Sequence, residues 1–122
     1  MDIAPITLQG GYIQLEPLSL DEHLDDLVTA GAHPELFNWF TEDHSSPDAM
    51  RAFVEDAITA KDRGTALPFA IVLQDTEEAI GSTRFGNIVP EHRRVEIGWT
   101  WITPSQQRTP ANTEAKYLML MH

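Results

Sequence analysis

Apolar residues recur along the chain at two periods, and the switches between them mark its elements. From Ile6 to Leu18 the apolar positions Ile6, Leu8, Ile13 and Leu15 alternate loosely with polar ones. Gly10-Gly11 interrupts this run and Pro17 ends it, so two short strand pieces around a bend are expected. Ser19 with Glu22 three residues later is a capping box, and Leu24, Leu27 and Val28 follow at helical spacing as far as Gly31. The pattern predicts a short first helix. Pro34, Leu36, Phe37, Trp39 and Phe40 are too aromatic for a solvated linker and predict another helical turn over the core. Ser46-Pro47 sets a capping hydroxyl before a proline at the first helical position. Met50, Phe53, Val54 and Ala57 then follow at i, i+3, i+4 and i+7 until Gly64 ends the helix.

Beyond Gly64 the period falls to two. Phe69 to Leu73 is a compact apolar run and Ala79 to Phe85 a second; the polar turn Gln74-Asp75-Thr76-Glu77-Glu78 between them predicts a β-hairpin. The connection Pro90-Glu91-His92-Arg93 leads into Val95, Ile97, Trp99 and Trp101, which alternate strictly with Glu96, Gly98, Thr100 and Ile102. One long central strand with a single aromatic face is expected. Pro104 ends it, and a polar loop covers Ser105 to Ala111. A helix then begins with Asn112 as N-cap and runs through Glu114, Ala115, Leu118 and Leu120. It reaches His122 with no glycine or other stop signal, so this last element is expected to be cut short.

Composition narrows the class. With 122 residues, 42% of them apolar, the chain can bury one modest core, and one domain is expected. Eight Lys plus Arg oppose nineteen Asp plus Glu, a formal charge of −11 that repels phosphate backbones and anionic lipid alike. Nucleic-acid and membrane partners are therefore not expected. The absence of cysteine excludes disulfides, thiolate nucleophiles and Cys-based metal sites. Histidines at 23, 33, 44, 92 and 122 show no ligand spacing, so no metal is expected. Met-Asp-Ile-Ala-Pro at the start lacks the features of a signal peptide, and no apolar run approaches the roughly 20 residues of a membrane span. A cytoplasmic location is the expectation.

Three segments carry a resemblance. Phe69-Ala70-Ile71-Val72 followed by Ala79-Ile80-Gly81-Ser82-Thr83 resembles the hairpin of the GNAT superfamily of N-acetyltransferases. Arg94 to Pro104, reading Arg-Val-Glu-Ile-Gly-Trp-Thr-Trp-Ile-Thr-Pro, resembles that family's central strand. Asn112-Thr113-Glu114-Ala115-Lys116 resembles the opening of its cofactor-binding helix. The match is most similar to the branch that acetylates ribosomal-protein N-termini, and it spans nearly the whole chain. It implies an α/β (α+β) fold, a mixed and mostly antiparallel sheet flanked by helices. Residues 1–122 would be a single, incomplete domain truncated within the cofactor-binding helix. It also implies acetyl-CoA as co-substrate and a primary amine, on a protein N-terminus or a small molecule, as acceptor.

The family's phosphate loop aligns with Gln107-Arg108-Thr109-Pro110-Ala111-Asn112, where both family glycines are replaced. That loop works by aiming backbone N–H groups at a helix N-terminus toward a pyrophosphate. Pro110 removes one N–H and fixes φ, so the loop must take another path, and Arg108 can restore a charge-assisted contact. The resemblance implies a cofactor set of Trp101, Ile102, Thr103, Gln107, Arg108, Thr109, Ala111, Asn112 and Thr113. In it the backbone of Trp101 to Thr103 pairs with the pantetheine arm, and one N–H polarises the thioester carbonyl.

Glu96 stands where family members place a carboxylate that relays the proton of the acceptor amine, since an ammonium cannot attack a thioester. Flanking Val95 and Ile97 would raise its pKa by desolvation. Its alternative role is a cross-strand pair with Arg84 or Arg94. Glu42, Asp43 and His44 are either an acceptor-side lining or a charged surface loop. The family's general-acid tyrosine lies on a helix past the next strand, and neither Tyr12 nor Tyr117 matches it. Two functions follow: an acetyltransferase, or a truncated, non-catalytic GNAT-like module acting through binding or oligomerisation. An open edge on the central strand, with Val95, Ile97, Trp99 and Trp101 only partly covered, predicts a homo-dimer or higher oligomer.

Overall fold

The computed structural model describes residues 7–37, 43–89, 94–107 and 109–121, with the backbone alone at 87–89, 94–96, 99 and 121. Strands β1 (Leu8–Gln9) and β2 (Ile13–Pro17) flank the Gly10-Gly11 bend. Helices α1 (Leu20–Ala30) and α2 (Pro47–Asp62) follow, with a 3-10 turn at Pro34–Phe37 between them. Then come β3 (Leu67–Leu73), β4 (Ala79–Val89), β5 (Arg94–Ile102), a second 3-10 turn (Pro104–Gln106) and α3 (Ala111–Met121). Every pair among these strands is antiparallel, in the order β1-β2-β3-β4-β5.

Helices cover both faces of this sheet. On one face Leu27, Phe37, Met50, Phe53 and Val54 pack on Ala70, Val72 and Trp101. On the other, Ala111, Ala115 and Met119 of α3 pack on Ile13, Leu15, Phe69, Ile71, Ile80 and Ile102. Burial from both sides explains why β3 reads as an unbroken apolar run and not as an alternation. The local signals hold for the two first helices. Ser46 caps α2 by accepting from the Ala49 N–H at 3.1 Å, its buried residues are Met50, Phe53, Val54 and Ala57, and Gly64 turns the chain at φ 77°. At α1 the Ser19 hydroxyl accepts from the Glu22 N–H, as the capping box requires, but the reciprocal bond differs: the Ser19 N–H donates to His23 Nδ1 at 3.0 Å. The hairpin is longer than expected, since β3 starts at Leu67 and β4 runs to Val89.

The expected single face of β5 is corrected by a bulge. Ser82 pairs with Trp101 and Arg84 with Gly98, so two steps on β4 answer three on β5. One extra residue inverts the side-chain alternation beyond it. Ile97 therefore joins the α3-side cluster with Phe85, whereas Trp101 packs on the α1/α2 side. The side chains of Val95 and Trp99 lie outside the described residues. The strand expected to be central lies at one end of the five-strand order, and among the described residues no strand pairs with its outer edge, as expected. Its cover is not, because Trp101 is only 3% exposed beneath the chain's own helices. Trp39, Phe40 and the connection 90–93 lie outside the described residues. Among those described, no helix is long and apolar enough to cross a membrane.

Candidate active site

The open edge of β5 and the first turn of α3 converge on a cleft of about 570 Å³. Thr100, Trp101 and Ile102 form one wall, Asn112 and Lys116 of α3 the other. Pro104 and Gln107 close it between them, and Glu35 and Leu36 of the first 3-10 turn stand at its side.

Backbone direction decides what β5 offers. The Thr103 N–H donates to the Ile80 carbonyl at 2.8 Å, one step beyond the paired residues Gly81 and Ile102. Ile102 therefore belongs to a pair whose own N–H and C=O point away from β4. Its carbonyl accepts from Gln107 Nε2 at 3.1 Å, and its N–H faces the open edge. Of the three expected backbone contacts, the Thr103 N–H is already taken by β4. Gly81 lets β5 come this close, because a Cβ there would strike the Trp101 carbonyl. Trp101 itself sets its ring edge-on to Phe37 at 5.7 Å, and its buried Nε1 has no hydrogen-bond partner among the described residues.

The start of α3 is corrected by two residues. Glu114 N–H donates to the Pro110 carbonyl at 2.9 Å, so Pro110 and not Asn112 occupies the cap position. Pro110 thus sits where an intrahelical N–H is not required. Thr109 does the capping: its hydroxyl donates to the Gln106 carbonyl at 2.7 Å and accepts from the Ala111 N–H at 3.3 Å. Ala111 is fully buried, so both residues brace the loop and neither lines the cleft. The first-turn amides of Asn112 and Thr113 have no acceptor within the helix ladder. Asn112 lines the cleft, Thr113 is exposed beside it, and Arg108 lies outside the described residues. Sequence reasoning missed Lys116 and Glu35. The spacing of Lys116, four residues after Asn112 on the same helical face, was the available signal.

Glu96 pairs with Gly86, and Arg84 with Gly98 two positions further along β5. The register thus sets Glu96 and Arg84 on a diagonal, the arrangement its structural alternative requires; the Glu96 side chain lies outside the described residues. Burial pushes the Arg84 guanidinium pKa down and Asp56 opposes this. The Ser45 hydroxyl and, at 2.9 Å, the Ser45 N–H hydrogen-bond to the Asp43 carboxylate and hold it below the usual range. His44 packs between Phe37 and Phe53, so neither residue lines the cleft, and Glu42 lies outside the described residues. Elsewhere Glu16, Glu22 and His23 bring ligand-type atoms within 4.8 Å of one another. Both ring nitrogens of His23 are engaged by protein, Nδ1 by the Ser19 N–H and Nε2 by Glu16 Oε1 at 2.9 Å, so this cluster is a hydrogen-bond relay and offers no free imidazole.

Against known proteins, the model of the acetyltransferase (GNAT) domain matches residues 13–122. A GCN5-related N-acetyltransferase from Brucella melitensis superposes with a TM-score of 0.85 and 25% identity, over 97% of this chain and 54% of its own. A structure from T. thermophilus assigned as an acetyltransferase gives 0.81 and 30% identity, over 100% of this chain and 62% of its own. The ribosomal L7/L12 alpha-N-protein acetyltransferase RimL, solved with coenzyme A, shares the fold at 0.78 and 20% identity, over 96% of this chain and 67% of its own. The chain thus spans 54% and 62% of the length of the first two. No curated protein sequence matches it. GNAT acetyltransferases use acetyl-CoA as acyl donor. A domain match over residues 13–122, together with a helix-covered antiparallel sheet that opens at β5 onto a helix N-terminus, shows that this chain belongs to the GNAT acetyltransferase family.

Proposed function

We propose that the chain binds acetyl-CoA in the cleft between β5 and α3 and transfers the acetyl group to a primary amine, on a protein N-terminus or a small molecule. The observation that carries this is a pair of unlike donor sets facing one space. The Ile102 N–H on an open strand edge suits an amide-bearing arm. The first-turn amides of α3 and the Lys116 ammonium suit a pyrophosphate. Pro110 removes one donor, so the phosphate end is weaker than a glycine loop would make it.

Acetyl-CoA supplies the activated acetyl thioester. In this reading the chain's own groups do the rest. Ile102 orients the arm, the first-turn amides of Asn112 and Thr113 donate to the phosphates, Lys116 and Arg108 neutralise their charge, and Glu96 accepts the proton that the acceptor ammonium must lose. The cytoplasm is the proposed location. Because β5 carries an unpaired edge among the described strands, a homo-dimer or higher oligomer is proposed as the working state, and sedimentation at micromolar concentration tests it.

Calorimetry with coenzyme A and acetyl-CoA tests the site. A dissociation constant below about 1 mM is expected. No measurable binding would overturn the assignment, and binding without transfer to any amine would favour the non-catalytic module.

A further inference from the structure

Glu114 lies two residues from both Asn112 and Lys116, so helical geometry turns it roughly 200° away from the cleft wall. There its Oε1 accepts from the N–H groups of Tyr12 at 2.8 Å and Ile13 at 2.7 Å. The bend presenting those amides is closed by Gly10 N–H donating to the Ile13 carbonyl at 2.9 Å. Gln74 Nε2, from the β3–β4 turn, donates to the carbonyls of Gly10 and Ile13. A Cβ at position 10 would fall on the Glu114 carboxyl group and push it from its place. The same bend reaches the loop before α3, where the Tyr12 hydroxyl donates to Gln106 Oε1 at 2.8 Å. One short segment near the N-terminus thus holds both the cleft loop and the first turn of the helix that lines it.

We propose that Glu114 and Tyr12 are positioning residues for this cleft: they fix the rotation and height of α3, so that Asn112 and Lys116 face the open edge of β5. The inference rests on reading the cleft as the acetyl-CoA site. Its physical basis is that α3 begins after a proline and is capped only by Thr109 among the described residues, so its first turn needs an external anchor. A carboxylate accepting two backbone N–H groups is a strong, directional one.

Glu114→Ala, Glu114→Gln and Tyr12→Phe test it with two readouts. In ligand-free protein, Glu114→Ala should speed amide exchange at the hydrogen-bonded amides of Gln106, Gln107, Ala111 and position 114 about tenfold or more, with β3 and β4 unchanged. Coenzyme A affinity should fall by a similar factor, about tenfold. Glu114→Gln, whose Oε1 can accept both bonds, should recover most of both effects, and Tyr12→Phe should loosen chiefly Gln106 and Gln107. Unchanged exchange at these amides in Glu114→Ala, exchange faster everywhere alike, or Glu114→Gln as damaging as alanine would each overturn the proposal. Should the unaltered chain not bind coenzyme A, the cleft assignment fails, and the exchange data still decide whether Glu114 sets the position of α3.

Discussion

Thr83 Oγ1 and Thr100 Oγ1 lie 2.7 Å apart across β4 and β5, hydrogen-bonded where β5 carries its extra residue. Thr83 is only 1% exposed, so the bond pins the bulge from inside the sheet. Thr83→Val keeps the shape, removes the partner, and should cost about 1 kcal/mol. Urea unfolding measures this, and a variant as stable as the parent would show that the bulge holds without the bond.

The Glu16 carboxyl lies below its ordinary value of 4.5: burial pushes it up, but hydrogen bonds from His23 and Gln14 outweigh that. A carboxyl lowered in the folded state stabilises the fold above its unfolded pKa, and this contribution disappears as pH falls through the lowered value. Stability should therefore decline below about pH 4.5. In Glu16→Gln that acid limb should flatten, as unfolding curves taken from about pH 3 to 6 would show.

Trp101→Phe removes a buried N–H that has no partner among the described residues while keeping a ring against Phe37. The relieved donor and the smaller ring act in opposite directions, so the net change should stay within about 1 kcal/mol, against about 3–5 for Trp101→Ala. Equilibrium denaturation of both variants checks the contrast.

Glu96→Gln separates the two roles proposed for that carboxylate. As a general base its loss should lower kcat about 100-fold or more and remove the acidic limb of the pH profile, with coenzyme A affinity little changed. As a partner of Arg84, its loss would lower the melting temperature and spare the pH profile.

Pro110→Gly restores an N–H beside the first turn of α3, and Pro110 needs only its carbonyl for the Glu114 bond. Coenzyme A affinity should hold or rise, whereas Arg108→Glu should weaken it by more than about 1 kcal/mol. Titration calorimetry of the two variants measures both; an indifferent Arg108→Glu removes that side chain from the site.

The sequence alone determined what depends on neighbours along the chain. Ser46-Pro47 and the Met50, Phe53, Val54, Ala57 spacing specify α2, and two apolar runs around a polar turn specify the hairpin, because caps, helical faces and turns are local interactions. The order of these segments was enough to point to the family. Only the tertiary structure decided which groups face the cleft. Whether Ile102 or Thr103 turns its N–H outward depends on register with β4, and a single extra residue reverses it. The same bulge moved Trp101 to the face opposite Ile97, which strict alternation in the sequence could not show. Likewise, Glu114 was legible as part of a helix opening, but its partners Tyr12 and Ile13 lie about a hundred residues away. A contact at that separation leaves no periodic trace in the sequence, and it exists only once the sheet has set β2 beside α3.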